Sequence, residues 1–479
     1  MKMSKSWCLF GTGRMMPFYR SLIEKFGETV AIFCDNDQAK WGQSIGGIVV
    51  VSPAELVTKD VDILISCNAE SEIEEELLGL GIKRDRIYDY SRLLRYYIAL
   101  RDDSLNMRKY HFGAKNSIIL DAYDGVGYGG MELWSYRVAE ELDRRGQQVM
   151  VIGSDSQLKQ DKWEHLIRRL DYKTMESEDY WSPIEKIVDF LKDQLPFILI
   201  NNWSDRVLAA ALILKKQYPD LVHIISIVHF DARFMYRRIR CFYDEMDSIL
   251  CVSKKICGVL HEDYGVPQEK LCYHINFIDK AEGKCENNRK KDEPLRIGWG
   301  ARMEIDQKRA DLLPALIGQL DAAGLRYRME LAGEGAYREI LSQWVSDNGK
   351  QDHIILHGHI PTDEMKDFWK RQDIYINLSE FEGGSLAMLE AMAGGAVPVV
   401  TDVSGTRDVL ENIDPELIKP IGDISAIGSE IIRLGNDEKR RRELSARCCE
   451  RVATECRFDK YVDDLEGMIE QSRRAGAVS

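Results

Sequence analysis

The stretch Ile374–Met392, IYINLSEFEGGSLAMLEAM, places a short apolar run directly before a glycine-containing loop and a helical pattern. Ile374–Asn377 has the length and apolar character of a strand buried in a parallel sheet. Gly383-Gly384-Ser385 would then open a helix, whose unpaired N–H groups and dipole suit an anion such as pyrophosphate. Because ligands of open α/β sheets bind outside the carboxyl ends of strands, the stretch predicts a parallel α/β fold with a ligand site at this point.

Two glutamates flank this glycine loop. Glu382 precedes it, and Glu390 follows eight positions later. We expect Glu390 to lie about two helical turns into the helix, too far away for a shared carboxylate pair but suited to a second part of an extended ligand. The alternative is an ordinary helix start with a solvated glutamate, and the spacing alone does not decide between the two.

A second set of charged residues follows the predicted strand Leu295–Trp299. Arg302 and Lys308 bracket a loop there, so both cations could converge on one anion. A guanidinium offers a bidentate fork and an ammonium a point charge, and together they could neutralise a departing diphosphate. A solvated charged loop is the alternative. Both sets follow strands of the same predicted sheet and share its edge, which favours one common site.

Short apolar runs alternate with amphipathic helical stretches along almost the whole chain, which is typical of layered parallel α/β domains. A chain of 479 residues suggests about three domains. The polar stretch 283–294 reads as an interdomain hinge. The pattern divides the chain into a Rossmann-like module (1–95), a linker helix (96–114), two further βα series (115–285 and 286–455) and a carboxy-terminal helix (456–479).

Composition excludes several classes of protein. Hydrophobic residues make up 44% of the chain and charged residues 30%, as in folded proteins. The 65 basic and 79 acidic residues give a net charge of −14, which disfavours nucleic acid as the main partner. No apolar run approaches the ~20 residues that span a bilayer. The eleven cysteines show no CxxC pair and are expected to be reduced thiols in a reducing compartment.

Four motifs carry a family resemblance: Glu382-x7-Glu390, the loop with Arg302 and Lys308-Arg309, Val252-Ser253, and Asn276-Phe277-Ile278-Asp279. Taken together, they resemble those of retaining GT-B glycosyltransferases of group 1, the family that includes glycogen synthases and bacterial polysaccharide transferases. The resemblance extends over roughly residues 115–471 and departs from the family at Phe277, where glycine is usual, and at Gly383-Gly384-Ser385, where Gly-Phe-Gly is usual. These departures bear on the identity of the donor.

This resemblance implies a GT-B fold, in which two Rossmann-like domains face a cleft, preceded here by the additional Rossmann-like domain. Residues 115–285 would form the acceptor domain and residues 286–455 the nucleotide-sugar donor domain, with helix 456–479 packing back on the acceptor domain. The implied reaction moves a sugar from a nucleoside-diphosphate-sugar, such as a UDP-sugar, to an acceptor hydroxyl with retention of configuration. Hexosyl transfer in bacterial surface polysaccharide or glycoconjugate synthesis is the implied role.

The resemblance also assigns roles to residues. Arg302 and Lys308 would grip the donor diphosphate, Glu382 would contact the donor sugar, and Glu390 would bind the ribose. His229, at a strand end, would lie near the transferred sugar and the acceptor, so the implied catalytic set is His229, Glu382, Arg302 and Lys308. Further donor contacts would come from Gly129, Gly130, Gly333, Glu334, His359, Ile360, Gly383, Gly384, Ser385 and Leu386.

No cofactor and no divalent metal are expected, because the cationic loop would take the place of a metal at the diphosphate. His357 and His359 alternate on one strand face and invite a metal interpretation. No third ligand is spaced nearby in the sequence, so we reject that interpretation.

The amino-terminal module carries only part of a dinucleotide-binding pattern. Gly11-Thr12-Gly13 forms a tight turn after a strand, and Asp35 lies at the next strand end as a ribose-binding acid would. Met16 stands where the third glycine is required, and no Tyr-x-x-x-Lys pair follows. We favour docking or an auxiliary nucleotide site over redox catalysis.

Several alternatives stay open at this point. The core could be a nucleotide-sugar 2-epimerase-like GT-B enzyme, a nonenzymatic nucleotide-sugar-binding partner of another transferase, or an oxidoreductase centred on the first module. The acceptor would be a carbohydrate, a glycan or a lipid-linked molecule, and residues 1–95 could hold a second copy or a partner protein. The expected location is the cytoplasm. The basic runs 237–240 and 439–442 could contact the inner face of the membrane, although such runs are usually solvated.

Overall fold

The computed structural model describes residues 5–25, 27–67, 69–100, 117–122, 130–154, 165–170, 181–202, 204–278 and 293–477. Two compact units make up the chain. The first holds Met1–Ser226, Arg237–Asp247 and Gln471–Ser479, and the second holds Ile227–Tyr236 and Ser248–Glu470. The five segment bounds inferred from the sequence stay predictions.

The first of three sheets has six strands in the order β3-β4-β2-β1-β5-β6. Only β3 pairs antiparallel, with β4, and the remaining pairs are parallel. Trp7 to Phe10 of β1 are almost completely buried, as expected for a central strand. The elements are β1 (Ser6–Phe10), α1 (Met16–Glu24), β2 (Thr29–Cys34), β3 (Ser44–Ile45), β4 (Ile48–Val51), α2 (Pro53–Leu56), β5 (Asp62–Ile65), α3 (Glu70–Gly79), β6 (Ile87–Tyr88) and α4 (Tyr90–Leu100).

A second sheet has seven strands in the order β13-β12-β11-β10-β7-β8-β9. Strand β9, with the sequence IRRL, was not expected, because its two arginines conceal it from a search for apolar runs; it is an edge strand, where charge is tolerated. The elements are β7 (Ser117–Asp121), α5 (Gly130–Arg144), β8 (Val149–Ser154), β9 (Ile167–Leu170), α6 (Trp181–Lys192), β10 (Phe197–Asn201), α7 (Asp205–Gln217), β11 (Val222–Val228), α8 (Arg233–Phe242), β12 (Ser248–Cys251), α9 (Lys254–Glu262) and β13 (Leu271–Tyr273).

The third sheet is entirely parallel, with the order β16-β15-β14-β17-β18-β19. Winding runs outward from β14 in one direction and resumes at β17 in the other, so the loops after these two strands flank the switch point where such sheets bind ligands. The elements are β14 (Leu295–Gly300), α10 (Leu313–Ala322), β15 (Tyr327–Ala332), α11 (Arg338–Asp347), β16 (Ile354–Gly358), α12 (Thr362–Lys370), β17 (Ile374–Asn377), α13 (Leu386–Ala393), β18 (Val397–Thr401), α14 (Thr406–Leu410), β19 (Ile418–Lys419), α15 (Ile424–Asn436), α16 (Glu438–Glu455) and α17 (Phe458–Ala477).

A large buried ring explains the two glycines of β14. Trp369, at the end of α12, is completely buried. A Cβ atom added to Gly298 would lie 2.6 Å from Cγ of Gln372, and one added to Gly300 would lie 2.7 Å from the ring of Trp369. Because real Cβ atoms do not approach so closely, both positions of this central strand must be glycine for Trp369 and Gln372 to pack on it.

Cysteines were expected to be reduced throughout. Nine of them in the described residues are free thiols, and five of those nine are buried. Burial raises the pKa of the Cys448 thiol to about 12, which keeps it protonated and unreactive. The expectation is wrong at Cys449, which is disulfide-bonded and carries no spacing signal in the sequence. No helix in the described part of the chain is long and apolar enough to cross a membrane.

The basic run 237–240 is not a solvated face at its first two arginines. Arg237 of α8 is 14% exposed and lies 3.4 Å from Glu70, 2.7 Å from Glu74 and 3.7 Å from Asp89. Arg238 pairs with Asp205 at 3.1 Å. Carboxylates spaced far away in the sequence therefore take up the charge that was expected to meet solvent or a membrane.

This acidic cluster raises the pKa of one of its members, Glu70. Burial, together with the charges of Asp89 and Glu74, raises the pKa of Glu70 to about 7, although Arg237 opposes the shift. Between roughly pH 4.5 and pH 7 the folded chain therefore holds a proton that the unfolded chain releases. Stability is fully present below this window and declines as the pH rises through it.

We expect Glu70→Gln to remove this decline and to leave the first unit more stable than the native chain at pH 8 by ~2 kcal/mol, because the amide imitates the protonated acid. Thermal unfolding midpoints at pH 5.5, 6.5 and 8 test this. Glu75→Gln, at an exposed position of the same helix, serves as the control and should keep the native pH dependence. The same pH slope in Glu70→Gln and the native chain would contradict the assignment.

Candidate active site

The loops after β14 and β17 meet at an ion pair. The Lys308 ammonium lies 2.5 Å from Oε1 of Glu382, and their side chains are only 17% and 8% exposed. The Ser379 hydroxyl donates to the same carboxylate oxygen at 2.8 Å. Since β14 and β17 are neighbouring strands, the parallel sheet itself brings these two sequence motifs together.

A glutamine fastens the two loops to each other. The carbonyl oxygen of Gln307 accepts from the Glu380 amide at 2.8 Å, and its side-chain amide donates to the Phe381 carbonyl at 3.2 Å. Arg309 holds a left-handed backbone conformation (φ 51°), and its guanidinium bonds to Asp311 and Glu380. Sequence reasoning missed Gln307, because nothing in its local pattern reports a contact with a loop more than 70 residues away.

His229 follows β11 and is 8% exposed. A Cβ atom on Gly383 would lie only 1.6 Å from the His229 carbonyl oxygen, and the Asp231 amide donates to the Glu382 carbonyl at 3.1 Å. Gly383 is therefore needed for the backbone after β11 to approach the Glu382 loop. The second unit thus brings three of the four predicted catalytic residues, His229, Lys308 and Glu382, to one loop cluster.

The predicted anion-binding helix is α13. Ser385 caps it by accepting from the Met388 amide at 3.3 Å, and the buried Asn276 side chain donates to the Gly384 carbonyl at 2.8 Å. Because the helix begins at Leu386, Glu390 is its fifth residue and lies about one turn from its start. The expectation of two turns is wrong, because it counted the extended glycine loop as helix.

Three predicted nucleotide loops also lie together. A Cβ atom on Gly333 (φ +139°) would lie 1.8 Å from the Ala301 carbonyl oxygen, so the loop after β15 rests directly on the loop after β14. The Glu334 carbonyl accepts from the Met303 amide at 2.8 Å, and its carboxylate accepts from the His359 amide at 3.3 Å. Gly333, Glu334 and His359, with Ile360 next in sequence, therefore share the edge that carries Lys308.

The second predicted cation, Arg302, does not pair with Glu382. Arg302 is 61% exposed and binds Glu304 at 3.0 Å and Gln307 at 2.9 Å, so it and Lys308 have different partners. Gly130 is the first residue of α5 in the first unit. Gly129 lies outside the described residues.

In the part of the chain that the structure describes, the His357 ring and the Asp35 carboxylate already have polar partners. His357 Nε2 lies 2.9 Å from Glu330 Oε2. Across the described ranges, no group of three or more His, Cys, Asp or Glu side chains could hold a metal ion. In the first module, the Asp35 carboxylate accepts from the Thr12 backbone and hydroxyl and from Lys40. A ribose at Asp35 would have to displace these bonds, and an auxiliary nucleotide site stays a prediction.

Comparison with known families accounts for most of the chain. Residues 284–450 match the model of glycosyl transferases group 1, and residues 128–282 match that of glycosyltransferase family 4. Residues 284–450 form a group 1 glycosyltransferase domain. Residues 3–88 of the chain match a separate model, described as C2185-like, N-terminal. The resemblance to group 1 glycosyltransferases inferred from the motifs is confirmed, and the retaining mechanism stays a prediction.

The chain also resembles individual proteins. It is 25% identical over 239 residues to N-acetyl-alpha-D-glucosaminyl L-malate synthase of Bacillus anthracis, which is 48% of this chain and 60% of that protein. It is 26% identical over 228 residues to alpha-monoglucosyldiacylglycerol synthase of Streptococcus pneumoniae, which is 44% of this chain and 51% of that protein. The chain thus spans little more than half the length of these relatives.

Solved structures agree on the fold. HepE of Anabaena in complex with UDP superposes with a TM-score of 0.62 at 12% identity, covering 74% of this chain and all of HepE. The lipopolysaccharide outer core galactosyltransferase WaaB gives a TM-score of 0.59 at 18% identity, covering 74% of this chain and 99% of WaaB. The GT-B fold predicted from the sequence is confirmed.

We expect Gly383→Ala to destabilise the protein by ~1–3 kcal/mol and to reduce any sugar-transfer activity, because the added methyl group would force the loop away from the His229 carbonyl. Gly318→Ala is the matched control: it lies at an exposed position of α10 with no atom near its added Cβ, and it should stabilise by about 0.5–1 kcal/mol. Thermal unfolding and turnover measure both effects. Native stability in Gly383→Ala would show that the close approach imposes no constraint.

Proposed function

We propose that the protein is a retaining glycosyltransferase that moves a sugar from a nucleoside-diphosphate-sugar, with UDP the first candidate nucleotide, to an acceptor hydroxyl of a glycan or lipid-linked molecule. Bacterial surface polysaccharide or glycoconjugate synthesis is the proposed role. The observation that carries the proposal is the ion pair of Lys308 and Glu382 at the switch point of the third sheet. It puts a cation for phosphates and a carboxylate for sugar hydroxyls side by side.

The proposed chemistry needs charge stabilisation more than a nucleophile. As the bond between the sugar carbon and the diphosphate oxygen breaks, negative charge builds up on that oxygen, and the nearby ammonium of Lys308 stabilises it. The acceptor oxygen attacks the same face of the sugar carbon, and its proton passes to the departing phosphate. Glu382 would hold the sugar, and His229 would lie beside the acceptor.

Relatives support this choice of donor and product. HepE binds UDP, as its structure was determined in complex with that nucleotide. Alpha-monoglucosyldiacylglycerol synthase and the colanic acid glycosyltransferase WcaL, named for a glycolipid and a polysaccharide, are among the proteins that this chain resembles.

The deciding experiment incubates the full chain with UDP-, GDP- and ADP-sugars and candidate acceptors and measures released nucleoside diphosphate together with glycoside formation. Release that depends on an acceptor, with the anomeric configuration retained by NMR, is the expected result. Turnover of the sugar without an acceptor, with the product still on the nucleotide, would instead indicate the epimerase. No turnover with any pair would count heavily against the transferase.

Variants should separate binding from chemistry. Lys308→Ala should lower kcat/KM by roughly 10²–10³-fold and weaken UDP binding, whereas Glu382→Ala should abolish turnover without weakening UDP binding. The matched control is Lys350→Ala, since Lys350 pairs with Asp321 in the same unit and is similarly exposed, at 19%. Near-native rates in both site variants would refute the site assignment.

Catalysis is proposed to need no divalent metal, because Lys308 supplies positive charge at the diphosphate. We expect turnover to persist within about twofold after dialysis against EDTA, a change of less than ~0.5 kcal/mol in the barrier. Loss of turnover in EDTA and its recovery on adding Mg²⁺ or Mn²⁺ would overturn this part of the proposal.

A further inference from the structure

Two anions, the donor diphosphate and the Glu382 carboxylate, would compete for the single positive charge of Lys308. The proposed function requires the ammonium at the donor diphosphate, yet in the structure it lies 2.5 Å from Oε1 of Glu382. Building on that function, we propose that Glu382 competes with the diphosphate for Lys308. When the donor binds, the ammonium exchanges the Glu382 carboxylate for the diphosphate. The carboxylate then binds the donor sugar and keeps the hydrogen bond from the Ser379 hydroxyl.

Burial makes this exchange costly unless the sugar is present. The Glu382 side chain is 8% exposed, so once Lys308 leaves, the carboxylate retains the Ser379 hydroxyl but little water. A charged group left in this state carries a large penalty. Hydroxyl groups of a donor sugar can restore the lost hydrogen bonds, whereas a nucleoside diphosphate without its sugar cannot. The pair would therefore favour the donor over the product that must leave.

Lys308 is the cation of this loop that pairs with Glu382. Arg302 binds Glu304 and Gln307, and Arg309 binds Asp311 and Glu380. Each neighbouring guanidinium is therefore engaged away from the Glu382 carboxylate. The exchange thus depends on one ammonium.

Ser379 is the positioning residue in this scheme. It is 1% exposed, its amide donates to Oδ1 of Asn377 at 2.7 Å, and its carbonyl accepts from the Thr401 hydroxyl at 2.8 Å. These bonds fix its backbone on both sides, so its hydroxyl can hold Glu382 when Lys308 moves. Without the hydroxyl, the carboxylate would lose its fixed orientation toward the sugar.

Calorimetric titration with UDP tests the exchange. Glu382→Gln should bind UDP about tenfold more tightly than the native protein, because the neutral amide no longer competes for Lys308; tenfold corresponds to ~1.4 kcal/mol. Glu380→Gln removes an equal charge two residues away, from a side chain that pairs with Arg309, and should change UDP affinity less than twofold.

A double-mutant cycle separates exchange from simple charge repulsion. In a Lys308→Met background, Glu382→Gln should change UDP affinity less than twofold, because there is no ammonium to release. An equal gain in both backgrounds would mean that the carboxylate merely repels phosphate and would overturn the exchange. Thermal unfolding of each variant confirms that the comparison is made between folded proteins.

The variant Ser379→Ala tests whether Ser379 positions Glu382 for the reaction or only stabilises the fold. It should lower kcat at least tenfold with a native unfolding midpoint and unweakened UDP binding, and Ser379→Thr should restore part of the rate. If the native protein turns over a donor and binds UDP but Glu382→Gln binds no more tightly, the exchange fails while the proposed function stands. If the native protein neither turns over a donor nor binds UDP, both fail.

Discussion

The ion pair of Lys308 and Glu382 exists because two parallel strands, β14 and β17, are neighbours in a doubly wound sheet. The chain leaves β14, winds outward through β15 and β16, and returns to the other side of β14 at β17. This reversal separates the loops above the two strands and leaves room for charged side chains at their carboxyl ends. A single-direction winding would fill that space with a crossover connection, and the two motifs would not meet.

Backbone contact then decides how closely these loops can come. Gly383 lies against the His229 carbonyl, and Gly333 lies against the Ala301 carbonyl, at distances that leave no room for a side chain. These positions therefore require glycine, because any side chain would collide with the carbonyl oxygen. The close backbone contacts hold the loops that carry the charged side chains. Arg309, by contrast, keeps a left-handed backbone conformation although it is not a glycine. Its side chain is held by ion pairs with Asp311 and Glu380.

Much of the fold could be predicted from the sequence, because buried parallel strands read as apolar runs and the loops at their ends carry distinctive residues. The central strands of all three sheets follow this rule, whereas β9, with two arginines, and β19, with two residues, do not. The site was predictable where a motif is local, as with Glu382 and Gly383. The contacts of Ser379 and Lys308 with Glu382, and of Gln307 with Phe381, were not predictable. They depend on side-chain directions across loops that no local sequence pattern encodes.

The net charge of −14 takes on a specific meaning at this site. The proposed anionic donor would approach a protein that repels it at long range, and the ammonium at the ion pair is already neutralised by Glu382. The amino-terminal end of α13 offers the donor phosphates a second attraction, because the Ser385 cap and the Asn276 hydrogen bond to Gly384 fix this helix end in place. The helix dipole would thus attract the phosphates while Lys308 is still paired, and Lys308 would engage them only when Glu382 binds the sugar.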